Sequence, residues 1–163
     1  MNYLSQLMLA EILILTEDNA TQQELLKITF IDLLFKQVLN VFEVERQPHI
    51  KQEVRIYKYV RVGQNHKNYN AQNHESLFLS TFDAADNFDI LFRNLVKIGY
   101  QKSKTVAYLK NDIIKTPALK KCFSQNFFQK IFYGYSFTEY GTNLKRKVNE
   151  EIQNLENEFS DIN

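Results

Sequence analysis

Residues 128–144 read FQKIFYGYSFTEYGTNL, and this segment says more about the fold than any other part of the chain. Two runs rich in aromatic residues, Phe127–Tyr133 and Tyr135–Phe137, flank Gly134 and predict antiparallel strands joined at the glycine. Thr138 then predicts the N-cap of a helix, because its hydroxyl can accept a hydrogen bond from the first helical turn. The segment therefore predicts a short hairpin followed by a long helix.

Three further helices are predicted before this hairpin. Asn87 is expected to cap the first of them, and Gly99 is expected to end it. Ser103 is expected to cap the second, and Thr116-Pro117 has the form of an N-cap followed by proline at the first helical position. The predicted order is therefore helix, helix, helix, hairpin, helix.

The exit from the hairpin, Phe137-Thr138-Glu139-Tyr140-Gly141, resembles the end of the wing in bacterial winged-helix regulators. In those proteins a strand that ends in an aromatic residue or leucine is followed by Thr-Glu-x-Gly and a helix. The resemblance covers roughly residues 88–159. It implies that the helix opened by Thr116 enters the major groove of DNA while lysines of the wing contact phosphate. The residues expected to bind nucleic acid or another anion are Lys115, Lys120, Lys121, Ser124, Gln125 and Lys130.

The charge of the chain is distributed unevenly. Residues 91–150 hold twelve lysines and arginines against three acidic residues, a net charge of +9, and the rest of the chain carries −8. Such an asymmetry indicates that the basic part binds an anionic partner, either duplex DNA or an acidic protein surface, or that the two parts meet each other. A solvated basic surface is the third interpretation.

The first sixty residues predict two helices and a hairpin. Leu4–Thr16 has apolar residues at helical spacing, and Thr21 with Glu24 three residues later forms the capping-box pattern of a second helix, expected to reach about residue 39. The period then changes, and Val41–Glu45 and Glu53–Val62 alternate as strands. The residues that share one side of the second strand are Arg55, Tyr57, Tyr59 and Arg61.

These patterns predict a mostly helical α+β protein. We expect two packed winged-helix-like modules with short β-hairpins and a long C-terminal helix. The first is a helix–helix–hairpin module of residues 1–63, and the second is a basic module of residues 77–163. Residues 64–76 (QNHKNYNAQNHES) are polar and rich in asparagine, which is typical of a connection between modules.

The last helix carries an apolar stripe at spacings of three and four residues. Such a stripe packs either onto the core of its own chain or against a second copy, and both interpretations stay open. Lys145–Lys147 lie early in this helix and five acidic residues follow position 149, an order that an antiparallel copy would pair. The residues assigned to a homodimer contact are Leu144, Val148, Ile152, Leu155 and Phe159.

No catalytic signature or glycine-rich phosphate loop occurs in the sequence. His66 and His74, eight residues apart and without a cysteine nearby, do not have a recognised metal-ligand spacing. Cys122 stands alone, which suits a reducing compartment, and its apolar neighbours predict a buried thiol. The apolar run Leu4–Leu15 is shorter than the roughly 20 residues that a bilayer-spanning helix needs. We therefore predict a cytoplasmic, non-enzymatic binding protein without cofactor, metal or transmembrane segment.

Two alternatives stand beside a winged-helix DNA-binding regulator. The first is a structural adaptor that binds other proteins without nucleic acid. The second rests on Leu9–Leu15 (LAEILIL), which is similar to the start of the Golgi phosphoprotein family and implies a binder of anionic lipid head groups.

Overall fold

The computed structural model describes residues 2–49, 51–83, 88–125 and 134–160. It confirms an α+β protein in which helix predominates, with a three-stranded antiparallel sheet and a long C-terminal helix. The helices are α1 (Leu9–Thr16), α2 (Gln22–Phe35), α3 (Ser76–Leu79), α4 (Phe92–Lys102), α5 (Val106–Ile114) and α6 (Glu139–Ser160). The strands are β1 (Leu39–Arg46), β2 (Arg55–Val62), β3 (Ile90–Leu91), β4 (Phe123–Ser124) and β5 (Ser136–Phe137).

Two compact units divide the chain. The first unit combines residues 1–28 with residues 105–163, and the second contains residues 29–104. These boundaries differ from those of the predicted modules, because packing brings the two ends of the chain into one unit while sequence patterns group neighbours. That the predicted modules, residues 1–63 and 77–163, are winged helices stays a prediction.

The core of the first unit forms where α1 packs against α5 and α6. Each helix contributes apolar residues at helical spacing, so that one side of each is removed from water. The most deeply buried of these side chains are Ala10, Ile14, Leu15, Leu109, Ile113 and Val148.

The start of α6 confirms the predicted cap. The hydroxyl of Thr138 accepts a hydrogen bond from the amide of Gly141 at 3.1 Å, and its own amide donates to the carbonyl of Cys122 at 2.9 Å. A Cβ atom on Gly141 would lie 2.1 Å from that carbonyl oxygen, so the close approach of α6 requires glycine here. Leu144 is buried one turn later, as the pattern predicts.

The hairpin around this junction is only partly described. Phe123 and Phe137 are opposite each other where β4 and β5 pair, so Phe137 lies in a strand as predicted. The predicted partner strand Phe127–Tyr133 lies outside the described residues. The predicted short helix that begins at Thr116 is instead a series of hydrogen-bonded turns, which end where Phe123 enters β4.

The second unit is built on the sheet β1–β2–β3, in which β1 and β2 pair over their full length. Leu39 and Val60 are fully buried, and Ile90 pairs with Val60 on the same side. Helix α4 packs against β2, β3 and α3. The Phe30 ring meets the Phe78 ring edge-on at a centroid distance of 5.5 Å.

Among the predicted boundaries of α4 and α5, two are wrong and one lies outside the described residues. Gly99 lies inside α4 rather than at its end. Glycine is required there because the Phe78 ring comes so close that a Cβ atom would lie 2.5 Å from it. The cap of α5 is Thr105, whose hydroxyl accepts from the amide of Tyr108 at 3.2 Å, and not Ser103. The predicted cap Asn87 lies outside the described residues.

Helix α2 ends earlier than predicted. Its Thr21–Glu24 capping box is present, with hydrogen bonds of 2.7 and 3.2 Å. The helix stops at Phe35, and Gln37 adopts a left-handed backbone with φ of 55°, which turns the chain into β1. Among the described residues, none of the helices combines the length and the apolar character needed to cross a bilayer.

Candidate functional site

The predicted anion-binding residues lie after α5, in the turns that lead to β4. The amides of Leu119 and Lys120 donate to the carbonyl of Thr116 at 3.2 and 2.9 Å. Leu119 and Cys122 are each 0% exposed and anchor these turns in the core. Lys120 and Lys121 lie between these two buried residues in the sequence, and both are exposed.

A shallow groove of about 330 Å³ lies beside these turns. Ile114 and Phe123 supply its apolar lining, and Lys115, Lys120 and Gln125 supply its polar lining. A lysine ammonium group offers three N–H donors on a flexible stem. The groove can therefore hold a phosphate or carboxylate group between two cations.

Three of the predicted lysines have no ion-pair partner in the part of the chain that the structure describes. Lys115, Lys120 and Lys121 are exposed and form no salt bridge within residues 2–49, 51–83, 88–125 and 134–160. In the same unit, by contrast, Nζ of Lys145 lies 2.9 Å from Oδ1 of Asp18. Exposed unpaired cations keep their charge available to an anionic partner.

The other residues predicted to bind an anion do not all lie at the groove. Ser124 is exposed on β4 but does not line the groove. The side-chain amide of Gln125 donates to the carbonyl of Gly134 at 2.8 Å, which fixes its position at the groove wall. Lys130 lies outside the described residues. The structure thus gathers Lys115, Lys120 and Gln125 around one groove.

The apolar stripe of α6 divides into two halves. Leu144 and Val148 are buried inside the first unit, where α6 packs against α1. Ile152 is half-buried, whereas Leu155 is 44% exposed and Phe159 is 67% exposed. Only the second half of the stripe therefore has apolar surface left for a second copy.

The early basic residues of α6 have partners within the chain. Besides the pair that Lys145 forms, Arg146 contacts Glu150 at 2.6 Å, and Nζ of Lys147 donates to the hydroxyl of Tyr3 at 3.0 Å. The charges of Lys145 and Arg146 are therefore balanced by ion pairs within the chain, without an antiparallel copy.

Nothing in the sequence pattern identifies the buried polar cluster of the second unit, apart from the four-residue spacing of Asp32 and Lys36 on and after α2. Nζ of Lys36 lies 2.7 Å from Oδ2 of Asp32, 2.9 Å from the hydroxyl of Tyr69 and 3.2 Å from Oε1 of Glu75. Tyr69 donates to the same Glu75 oxygen at 2.5 Å. The asparagine-rich segment is thereby anchored to the residues that follow α2.

His74 lies in the same segment and is 1% exposed. Burial, aided by the charge of Lys36 and opposed by that of Glu75, lowers its pKa to about 4. Burial and the hydrogen bond to Glu75 raise the pKa of Tyr69 to about 12. Burial opposes the charge of Lys36, but the hydrogen bonds to Asp32 and Tyr69 outweigh it and raise the pKa of Lys36.

These charges satisfy one another, which favours a structural role for the cluster. Across the described part of the chain, no group of three or more histidine, cysteine, aspartate and glutamate side chains is arranged to hold a metal ion. The thiol of Cys122 is buried, as predicted, and burial raises its pKa.

The chain matches no protein-family model, and neither the curated proteins nor the solved structures include a significant match to it. Its function is therefore argued from its own side chains.

Proposed function

We propose that the protein binds the phosphate backbone of duplex DNA through the lysine turn, which consists of Lys115, Lys120 and Lys121. The observation that carries the proposal is that these three lysines are exposed and form no ion pair within the described residues. Phosphates can bind them without breaking an internal salt bridge. The adjacent groove gives two of the lysines a common place to meet an anion.

The chemistry of the lysine turn supports general phosphate affinity. Lysine binds phosphate as a point charge, whereas arginine is better shaped to read guanine through two parallel hydrogen bonds. Residues 115–125 contain lysine but no arginine. Phosphate contacts position a protein on DNA without reading its sequence. The proposal is therefore of DNA binding with little base discrimination.

The winged-helix resemblance of residues 88–159 is supported by the Thr138 cap and by the pairing of β4 with β5. The turns that begin at Thr116 replace the regular helix that would read bases. The proposal is of a binding protein without catalytic activity. A cytoplasmic location is proposed with it, since the single cysteine is a buried thiol.

The salt dependence of DNA binding tests the proposal. Binding of a fluorescent 20-base-pair duplex is measured by anisotropy at several salt concentrations. Each phosphate contact contributes about 0.9 to the slope of log K against log salt. The double variant Lys120→Ala/Lys121→Ala is expected to bind more weakly and to reduce the slope by about one to two.

The control removes the same charge elsewhere. Lys27 and Lys97 are exposed on α2 and α4, so Lys27→Ala/Lys97→Ala lowers the net charge by the same amount. This control is expected to keep the wild-type slope. Undetectable binding of the wild-type protein at 50 mM salt would overturn the proposal, and so would equal loss in the two double variants.

A second candidate is self-association along α6, favoured by the exposure of Leu155 beyond the buried half of the stripe. Leu155 also lines a groove of about 300 Å³ with Leu4 and Glu151. Leu155→Asp is expected to turn a dimer into a folded monomer in sedimentation velocity. A wild-type protein that sediments as a monomer at high micromolar concentration would exclude this candidate.

A further inference from the structure

In the hairpin β1–β2, the arginines and aromatic residues lie on one side of the sheet and both glutamates lie on the other. In register, Phe42 faces Tyr59 and Val44 faces Tyr57, and because successive side chains alternate, these residues share one side of the sheet. The opposite side includes the fully buried Val60. We call the side that excludes Val60 the arginine–aromatic face. Its members are Asn40, Phe42, Val44, Arg46, Arg55, Tyr57, Tyr59 and Arg61.

The rings and guanidinium groups of this face are in contact. The rings of Phe42 and Tyr59 stack across the strands at a centroid distance of 5.8 Å and an interplanar angle of 24°. The guanidinium of Arg61 lies 3.8 Å from the Phe42 centroid, and that of Arg46 lies 5.4 Å from the Tyr59 centroid. Arg61 and Arg46 therefore lie over the Phe42 and Tyr59 rings as cation–π partners.

The charges of this face are not balanced within it. Arg46 and Arg55 are directly opposite each other, although like charges at such a pair destabilise a hairpin. The face has three arginines and no acidic residue along either strand. Asp89 from the following segment lies 3.1 Å from Arg61, and it pairs with no other arginine of the face within the described residues. Arg55 is exposed and forms no ion pair within the described residues.

On the opposite side of the same hairpin, residues of opposite charge are paired across the strands. Glu43 and Lys58 are directly opposite each other and form a salt bridge of 3.3 Å. The two glutamates of β1, Glu43 and Glu45, both lie on this side. A requirement for hairpin stability alone would favour such balanced pairs on both sides. The unbalanced arginines therefore indicate an anionic partner for the other face.

We infer that the arginine–aromatic face binds single-stranded nucleic acid. Arginines attract phosphates, and aromatic rings at every second residue, about 6.6 Å apart along a strand, offer platforms on which unpaired bases stack. A duplex hides its base faces, so stacking selects single strands. Tyr57 lies two residues from Arg55 on the same side of β2, and within the described residues no ring or cation is stacked on it. This inference concerns other residues than the lysine turn and does not depend on it.

Fluorescence anisotropy with 15-nucleotide oligothymidylate and oligouridylate tests the inference on the full chain. Tyr57→Ala is expected to weaken binding roughly 5- to 150-fold, the range for loss of one stacking platform. Tyr57→Phe retains the ring and is expected to keep the affinity within about twofold. Arg55→Ala is expected to reduce the salt slope by about 0.7, the value for one phosphate on a single strand. Stronger binding of one oligonucleotide identifies DNA or RNA as the preferred strand.

Two controls separate this face from other positive charge. Lys58→Ala removes one charge from the opposite side of β2 and is expected to leave the salt slope unchanged. Lys120→Ala/Lys121→Ala is expected to lose less single-strand affinity than Tyr57→Ala, because these lysines offer no ring on which a base can stack. Failure of the duplex proposal therefore leaves this test intact. The far-ultraviolet circular dichroism spectrum of each variant checks that it is folded.

Three outcomes would overturn the inference. One is the lack of saturable binding of either oligonucleotide at 50 mM salt. Another is wild-type affinity in folded Tyr57→Ala. The third is a loss in Lys58→Ala as large as that in Arg55→Ala, or a loss in the lysine-turn variant as large as that in Tyr57→Ala.

Discussion

Lys36 and Lys120 are chemically identical residues in opposite environments. Lys36, in the second unit, is surrounded by the oxygens of Asp32, Tyr69 and Glu75 at 2.7–3.2 Å. Lys120, in the first unit, is exposed and forms no ion pair within the described residues. The number of lysines alone therefore does not define a binding surface. The charge of Lys36 is neutralised inside the fold, whereas that of Lys120 is exposed to solvent.

The largest expected effect is the loss of Lys36. Lys36→Met leaves the carboxylate of Glu75, which is 0% exposed, without its cation. Removal of one partner from a buried pair is strongly destabilising, and we expect the free energy of unfolding to fall by about 3 kcal/mol. Urea unfolding measures the change. Lys120→Met is the matched control and should stay within about 0.5 kcal/mol of wild type.

The comparison would fail if the two methionine variants unfolded at the same urea concentration. Equal stability would mean that the oxygens around Lys36 do not need its charge.

A smaller effect is expected from pH. The folded-state pKa of His74 is about 4 against an ordinary 6.5, so between these values the unfolded chain takes up a proton that the folded chain excludes. Stability is therefore complete above pH 6.5 and falls as the pH drops toward 4. We expect a loss of about 2–3 kcal/mol over this window. Denaturant unfolding at a series of pH values measures it.

The variant His74→Leu places an apolar side chain that does not titrate at this buried position, and it should show a flatter pH profile than wild type over the same window. A profile with an unchanged slope in this variant would show that other groups cause the acid sensitivity.

Local signals in the sequence predicted much of the fold. Thr21 with Glu24, and Thr138 at the start of α6, cap their helices as expected, because a cap depends on residues within one turn. Gly99 was wrongly assigned as a helix end, because what requires glycine there is the distant Phe78 ring. Contacts between segments far apart in the sequence produce no periodic pattern from which they could be predicted.

The candidate sites were likewise only partly predictable from the sequence. The exposure of Lys120 and Lys121 was predictable from their charge and from the neighbouring apolar residues. Alternation along β2 put Arg55 and Tyr57 on one side, but their partners on β1 depend on the register of the hairpin, which the pattern does not state. The burial of His74 depends on how the asparagine-rich segment folds, and its composition indicated a polar connection instead.

Lys120 and Lys121 are proposed to face a nucleic-acid partner, whereas Lys36 is hydrogen-bonded within the fold. Amine modification followed by mass spectrometry tests both halves in one measurement, with and without a 20-base-pair duplex. We expect Lys120 and Lys121 to react rapidly in the free protein and to be protected at least severalfold by the duplex. We expect Lys36 to react slowly in both samples, because its ammonium is hydrogen-bonded and its pKa is raised. Rapid modification of Lys36, or equal protection of Lys97 and Lys120, would contradict the account.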